Sequence, residues 1–142
     1  MSTAADILSA KEQRILSVDA EATVLEAAQQ MIDANVGSLL VSVDGRITGI
    51  VTERDYLRRV VLEARDTATT VGEIMTSPLI VVTPDTSVEQ CQALITERRI
   101  RHLPVADNGQ VIGMISIGDV VKWASTQQSV EIQYLHEYIN AR

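Results

Sequence analysis

The chain has 142 residues, of which 46% are hydrophobic, and this content is sufficient for a folded core. Its formal net charge of −7 argues against a general nucleic-acid or membrane-surface binder, because both roles favour an excess of Lys and Arg. The single cysteine, Cys91, excludes an internal disulfide, and the two histidines have no neighbours spaced like a zinc site.

The N-terminal residues, MSTAADILSAK, lack the apolar core of a secretory signal, and no apolar run approaches the length of a membrane span. We therefore expect a cytoplasmic protein that has neither a membrane nor a nucleic acid as its partner. Cys91 falls on the apolar face of a predicted helix, which favours a buried core position over a nucleophile.

The chain repeats itself at an offset of 64 residues, so that residues 17–60 match residues 81–124 without a gap. Each copy is predicted to open with a short strand, around 15–18 and 79–82, and a polar turn. A helix then starts at a capping box, Thr23 with Glu26 in the first copy and Ser87 with Gln90 in the second. The apolar faces of these helices are Val24, Ala27, Ala28 and Met31, and Val88, Cys91, Leu94 and Ile95.

Two strands follow in each copy, SLLVSV and RITGIVT in the first, HLPVA and QVIGMIS in the second. Asp44-Gly45 and Asn108-Gly109 join them and predict two-residue hairpins, because both central positions of that turn require positive φ. A second helix is predicted to close each copy, over about 53–64 and 117–124. Tyr56, Leu57, Val60 and Val61 are expected to face the core from the first of these helices.

The order strand, helix, strand, strand, helix predicts an α+β fold of two tandem β-α-β-β-α repeats. A three-stranded sheet with two helices cannot cover both of its faces, so we expect the repeats to pack with pseudo-twofold symmetry. The predicted boundaries are 5–64 for repeat 1, 65–78 for the linker and the lead-in of repeat 2, 79–124 for repeat 2, and 125–142 for a C-terminal helix. The linker is expected to end in a short apolar helix or turn at 71–75.

The C-terminal segment has an amphipathic pattern, with Ile132, Leu135 and Ile139 on one face. Such a face can cap the monomer or close a homodimer. The apolar face on so small a protein favours the homodimer.

The same junction occurs in both copies, as GIVTERD and GMISIGD. It places Thr52 three residues before Asp55, and Ser116 three residues before Asp119. Hydroxyl and carboxylate at this spacing can be a capping box that needs no ligand. They can also present a carboxylate and a hydroxyl to a ligand from one face of a helix, although the residues alone favour the capping box. Both interpretations are open at this point.

The two repeats, the lead-in sequences AADILSA and VGEIMTSP, and RRIRHLPV before the second hairpin together resemble a pair of CBS (cystathionine β-synthase) domains. The resemblance covers nearly the whole chain. It implies that adenine nucleotides such as AMP, ADP or ATP, and sometimes NAD or S-adenosylmethionine, bind in clefts between the repeats. It further implies that Asp55 and Asp119 accept hydrogen bonds from ribose hydroxyls, while Thr52 and Ser116 hold ribose or phosphate.

Basic residues are concentrated in RRIRH, residues 98–102. Cations near a helix C-terminus are favoured by its dipole without any ligand. The family resemblance implies a phosphate contact for Arg101 and His102, and we expect a further one from Arg54. Because Gly37 and Ser38 stand opposite Arg101 and His102 in the first copy, the two sites are not expected to be equivalent.

The leading hypothesis is a regulatory sensor that binds an adenine nucleotide (AMP, ADP, ATP or NAD) and changes its conformation or its affinity for an unidentified regulated protein. The alternative is a ligand-free structural protein for dimerisation or docking. An enzyme is not expected, because the sequence lacks a Ser-His-Asp or Cys-His arrangement, a metal cluster and a Gly-rich phosphate loop. No catalytic residue, catalytic cofactor or metal is therefore predicted.

Overall fold

The structure, a computed structural model, describes residues 1–11 and 15–127. The chain forms two compact units. The first unit comprises the described residues of Arg14–Ile80, and the second unit those of Met1–Gln13 and Val81–Arg142. Each unit combines helices with one small sheet, which confirms the α+β class. Most of the predicted C-terminal helix, with its expected dimer face, lies outside the described residues.

The first unit contains a three-stranded sheet in the order β1-β2-β3. Strand β1 is parallel to β2, and β3 is antiparallel to β2. Its elements are β1 (Ser17–Asp19), α2 (Val24–Ala34), β2 (Ser38–Val43), β3 (Arg46–Thr52), α3 (Glu53–Asp55), a π-helical segment (Tyr56–Val61) and α4 (Val71–Ile74). The strand predicted over 15–18 is thus present, shifted by about one residue.

The second unit contains a two-stranded antiparallel sheet of β4 and β5. Its elements are α1 (Ala4–Ser9), α5 (Val88–Arg98), β4 (His102–Asp107), β5 (Gln110–Ser116) and α6 (Ile117–Gln127). The strand predicted over 79–82 is reduced to one parallel bridge between Val82 and Val105. A three-stranded sheet was therefore wrong for this unit, although Val82 occupies the place that β1 has in the first.

Both hairpins form as the sequence predicts. Asp44 and Gly45 have φ of 52° and 80°, and Asn108 and Gly109 have φ of 52° and 77°. Such left-handed pairs match the twist of the flanking strands, which is why Asp-Gly and Asn-Gly specify this loop. The register of each hairpin, and hence the position of the junction at its end, is thereby fixed by local sequence.

The two long helices begin at their predicted capping boxes. The amide of Glu26 donates to Thr23 Oγ1 at 3.1 Å, and the amide of Gln90 donates to Ser87 Oγ at 3.1 Å. Each helix buries the apolar face that the sequence indicates, and Cys91 is fully buried within the core of the second unit.

The lead-in helices α1 and α4 are exchanged between the sequence repeats. Helix α1 precedes the first repeat but packs its Ile7 and Leu8 into the core of the second unit, while Val71 and Ile74 of α4 belong to the core of the first. The boundaries 5–64 and 79–124 therefore describe repeats of sequence, and the compact units are composed of different segments.

The exchanged helices dock by matching hydrogen bonds. The amide of Ala4 donates to Thr86 O at 2.8 Å, and the amide of Val71 donates to Ala22 O at 2.8 Å. Since Ala22 and Thr86 are corresponding positions of the repeat, α1 and α4 occupy equivalent places in the two units.

The segment after β3 differs from the regular helix predicted over 53–64. It becomes π-helical at Tyr56, and the amide of Leu62 donates to Leu57 O, five residues earlier, at 3.1 Å. This wider winding keeps Tyr56 and Val60 against the core. It turns Leu57 and Val61 outward, to 61% and 64% exposure, so their predicted burial was wrong.

No helix within residues 1–11 and 15–127 is both long enough and apolar enough to cross a membrane.

Candidate functional site

Both hydroxyl-x-x-aspartate junctions form capping boxes. The amide of Thr52 donates to Asp55 Oδ2 at 3.0 Å, and the amide of Asp55 donates back to Thr52 Oγ1 at 3.3 Å. The corresponding distances are 2.9 Å from Ser116 N to Asp119 Oδ2 and 3.1 Å from Asp119 N to Ser116 Oγ. The capping interpretation is thus confirmed, and it engages one oxygen of each carboxylate.

The other oxygen distinguishes the two aspartates. Asp55 is 7% exposed, and its Oδ1 accepts a hydrogen bond of 3.1 Å from Thr76 Oγ1. The side chain of Asp119 is 22% exposed, and no described residue donates a hydrogen bond to its Oδ1. Of the two junction aspartates, only Asp119 therefore has a carboxylate oxygen that accepts no hydrogen bond from the described residues.

Asp119 is also paired with a cation. Lys11 Nζ lies 2.6 Å from Asp119 Oδ2 and donates to Met114 O at 3.0 Å. Burial alone would raise the pKa of the Asp119 carboxyl, but the bonds from Lys11 and Ser116 together hold that pKa below its ordinary value. Asp119 is consequently ionised at neutral pH and acts only as a hydrogen-bond acceptor.

Two further predicted residues lie at the same end of the β4–β5 hairpin as Ser116. The amide of Ile117, at the start of α6, donates to Arg101 O at 2.9 Å, and His102 is directly opposite Ser116 in the β4–β5 register. The Arg101 side chain is exposed and His102 is half-buried. The second unit thus brings Arg101 and His102 to the same end of the sheet as Ser116 and Asp119.

The corresponding end of the first unit has a different charge. The amide of Glu53 donates to Gly37 O at 3.1 Å, the equivalent of the Ile117–Arg101 bond. A Cβ atom on Gly37 would lie only 2.7 Å from Glu53 Oε1, so the Glu53 carboxylate covers the position where the second unit has Arg101. Arg54 is exposed on α3. The two junctions thus differ in the charged side chains around them, and the inequivalence of the two ligand sites stays a prediction.

The strand glycines make room for the lead-in segments. A Cβ atom on Gly113 would lie 2.7 Å from Leu8 Cδ2, and one on Gly49 would lie 2.8 Å from Thr76 O. In this structure the space above them is filled by the chain itself.

Lys11 and Thr76 were missed by the sequence reasoning. Lys11 directly follows the lead-in sequence AADILSA, and Thr76 lies within the lead-in sequence VGEIMTSP. Each lead-in was assigned to the repeat that it precedes. Aligning the two lead-ins on their docking hydrogen bonds pairs Leu8 with Met75, and only the exchanged packing brings Lys11 to Asp119.

Comparison with known proteins identifies the family. The profile of the CBS domain matches residues 4–62 and 71–126. The CBS domain-containing protein CBSX3, mitochondrial, of Arabidopsis thaliana is 45% identical over 123 residues, which cover 82% of this chain and 60% of that protein. The aligned part of this chain thus spans less than two thirds of that relative.

Solved structures agree. The CBS-domain protein from Burkholderia ambifaria MC40-6 is 47% identical with a TM-score of 0.85, covering 89% of this chain and 96% of that one. CBSX2, solved in complex with AMP, is 28% identical with a TM-score of 0.73, covering 87% of this chain and 96% of that one. With both of its repeats matched, the chain belongs to the CBS domain family as a tandem pair.

Proposed function

We propose that this chain is a non-catalytic regulatory module that binds an adenine nucleotide (AMP, ADP, ATP or NAD) and reports its presence through conformation or partner affinity. The observation that carries the proposal is Asp119, an ionised carboxylate with one open oxygen at the start of α6. The AMP complex of the related CBSX2 supports the choice of ligand class.

The chemistry of the Asp119 position suits a nucleoside phosphate. A carboxylate oxygen accepts hydrogen bonds from a ribose diol, and the free amides of an eleven-residue helix favour an anion at its N-terminus. Arg101 and His102 are the candidates for phosphate contacts, with Ser116 beside the ribose. Thr52, Asp55 and Arg54 would form the weaker, second position, because both oxygens of Asp55 already accept hydrogen bonds.

The proposal is tested by calorimetric titration of the purified protein with AMP, ADP, ATP and NAD, with GTP as the base control. Asp119→Asn keeps an oxygen for the cap but removes the charge, and it should weaken adenine-nucleotide binding by about tenfold or more. Asp6→Asn is the matched control, because Asp6 makes the same type of capping bond to Thr3 N at 2.8 Å. It should leave binding unchanged.

Asp55→Asn should have the smaller effect of the two junction variants. If Asp119→Asn binds every nucleotide as the unmodified protein does, Asp119 is a helix cap and has no ligand role. Binding of GTP as tight as that of AMP would contradict recognition of the adenine base.

A second candidate is a ligand-free dimerisation or docking protein. It is favoured by the capping bonds of both aspartates and by the exposed apolar residues of the π-helical region, where Leu57, Val61 and Leu62 are 61%, 64% and 80% exposed. A homodimer through such a surface is compatible with either function. Thermal unfolding separates them, because a saturating ligand stabilises a binder by RT ln(1 + [L]/Kd) and leaves an empty scaffold unchanged.

A further inference from the structure

The exchanged lead-in segments satisfy equivalent acceptors with different donors. In the first unit, Thr76 donates from its amide to Ile50 O at 2.8 Å and from its hydroxyl to Asp55 Oδ1 at 3.1 Å. In the second unit, Lys11 Nζ alone donates to Met114 O at 3.0 Å and to Asp119 Oδ2 at 2.6 Å. Ile50 and Met114 are corresponding positions of the repeat. The Lys11 ammonium therefore donates to the same backbone oxygen and the same aspartate as Thr76 does in the first unit.

Because Lys11 takes the place of Thr76, the two junctions differ in charge. The first junction has neutral donors from Thr76, and the Glu53 carboxylate lies over Gly37. The second has the Lys11 ammonium beside Asp119, with Arg101 at the adjoining backbone. At the second junction, the charge of Lys11 offsets the negative charge of Asp119 that a phosphate would meet. At the first junction, a phosphate would meet the carboxylates of Asp55 and Glu53, and no described cation is paired with either of them.

Lys11 also retains the capacity to bind a ligand. An ammonium has three N–H donors, and the contacts within the described chain use two of them. Its side chain is 31% exposed, so the third donor is accessible from solvent. The two contacts to Met114 O and Asp119 hold the group in place, which reduces the rotamer entropy that a free lysine loses on binding.

We propose that Lys11 makes the Asp119 position selective for anionic adenine nucleotides over uncharged adenosine and cationic S-adenosylmethionine, by donating its third N–H to a phosphate oxygen. This inference rests on the proposed adenine-nucleotide function and adds a charge preference to it. Ribose is taken by the open Oδ1 of Asp119, while Oδ2 remains with Lys11 and Ser116. Lys11 is thus a specificity-determining residue, and its role is not limited to pairing with Asp119.

The test compares calorimetric affinities for AMP, adenosine and S-adenosylmethionine in the unmodified protein, Lys11→Met and Lys11→Arg. The chain has a second lysine, Lys122, which is exposed on α6, so Lys122→Met is a control with the same change in net charge. Lys11→Met should weaken AMP about tenfold and change adenosine by less than about twofold, as expected for one charge-assisted contact. Lys11→Arg should retain the preference for AMP, and Lys122→Met should match the unmodified protein.

Equal losses for AMP and adenosine in Lys11→Met would overturn the inference, because Lys11 would then only support the fold. A gain in AMP affinity would also overturn it, since Lys11 would then compete with the ligand for Asp119. The unmodified protein is measured before the variants. If it binds no adenine compound, the proposed function itself is wrong.

A measurement on the unmodified protein covers the case in which Lys11→Met does not fold. Raising the salt concentration from about 0.05 M to about 0.5 M should weaken AMP binding several-fold and leave adenosine unchanged, because salt screens the contacts of the phosphate with Lys11 and Arg101. An AMP affinity that does not depend on salt would contradict the inference.

Discussion

The ammonium of Lys11 lies 2.6 Å from Oδ2 of Asp119, although 108 residues separate them in the chain. The contact links the end of the exchanged lead-in to the N-terminus of α6, where the family's junction motif ends. It leaves Oδ1 of Asp119 without a donor from any described residue. In the first unit Thr76 donates to the corresponding aspartate, so the matching junctions of the two repeats differ in the charge of the donor.

The Lys11–Asp119 pair predicts a pH-dependent stability. The pKa of Asp119 is lower in the folded protein than in the unfolded chain, so the pair stabilises the fold above the unfolded pKa. That contribution is lost as pH falls from the ordinary aspartate pKa through the lower pKa of Asp119 in the folded protein. We expect Lys11→Met to lose about 1 kcal/mol at pH 7 relative to the unmodified protein. The loss should be smaller at the acid end, where the bond from Lys11 to Met114 O is retained but the ion pair is not.

Urea denaturation across this pH range measures the difference, with Lys122→Met as the control for net charge. A cost of Lys11→Met that does not shrink as pH falls below the ordinary aspartate pKa would assign its effect to packing of the lysine stem rather than to the ion pair.

Alanine substitutions of the two strand glycines, Gly49 and Gly113, should destabilise the protein by different amounts. Gly49→Ala would place Cβ 2.8 Å from the backbone oxygen Thr76 O, whereas Gly113→Ala would meet the movable end of Leu8 at 2.7 Å. Overpacking of this kind costs about 1–3 kcal/mol, and we expect Gly49→Ala to cost more because a backbone atom cannot turn aside.

Gly118→Ala is the control for these substitutions. Its nearest contact would be Ser116 Oγ at an ordinary 3.6 Å, and it lies in helix α6. It should stabilise the protein by about 0.5–1 kcal/mol, because alanine favours a helix. Chemical denaturation of the three variants gives the order. A Gly113→Ala protein less stable than Gly49→Ala would show that Leu8 is held as rigidly as the backbone.

Tyr56 predicts a hydroxyl-specific loss of stability. Its hydroxyl donates to Val24 O at 2.6 Å, linking the π-helical segment to the start of α2. Tyr56→Phe should therefore cost about 1 kcal/mol in denaturation, because the Val24 carbonyl loses a partner. Burial raises the pKa of the Tyr56 phenol, so its ionisation should lag behind that of an ordinary tyrosine in an ultraviolet titration. An unchanged titration curve for Tyr56→Phe would contradict this assignment.

The reactivity of the Cys91 thiol should report the unfolding of the second unit. It is fully buried in the core of the second unit, and burial raises the pKa of its thiol. A thiol-specific reagent should react with it at the rate of opening of that unit, and much faster in denaturant. Rapid modification under native conditions, as fast as that of a free thiol, would contradict the buried position.

The sequence by itself determined the features that depend on neighbouring residues. Asp44-Gly45 and Asn108-Gly109 fix the hairpins because these residues tolerate positive φ. Thr23 and Ser87 fix the starts of the long helices through bonds to residues three positions away. The repeat of 64 residues and the inequivalence of the junctions could also be predicted, since both follow from residue identity at matched positions.

Only the tertiary structure decided the features that depend on distant segments. The apolar lead-ins fit either core by hydrophobicity, and only the packing of Leu8 against Gly113 and of Thr76 against Gly49 shows which unit each lead-in joins. The outward turn of Leu57 and Val61 follows from π winding, which period-based reasoning does not detect. The hydrogen-bond partners of Asp55 and Asp119 also depend on that exchange. A hydrogen bond requires two atoms within about 3 Å, and packing can bring such atoms together from any distance in the sequence.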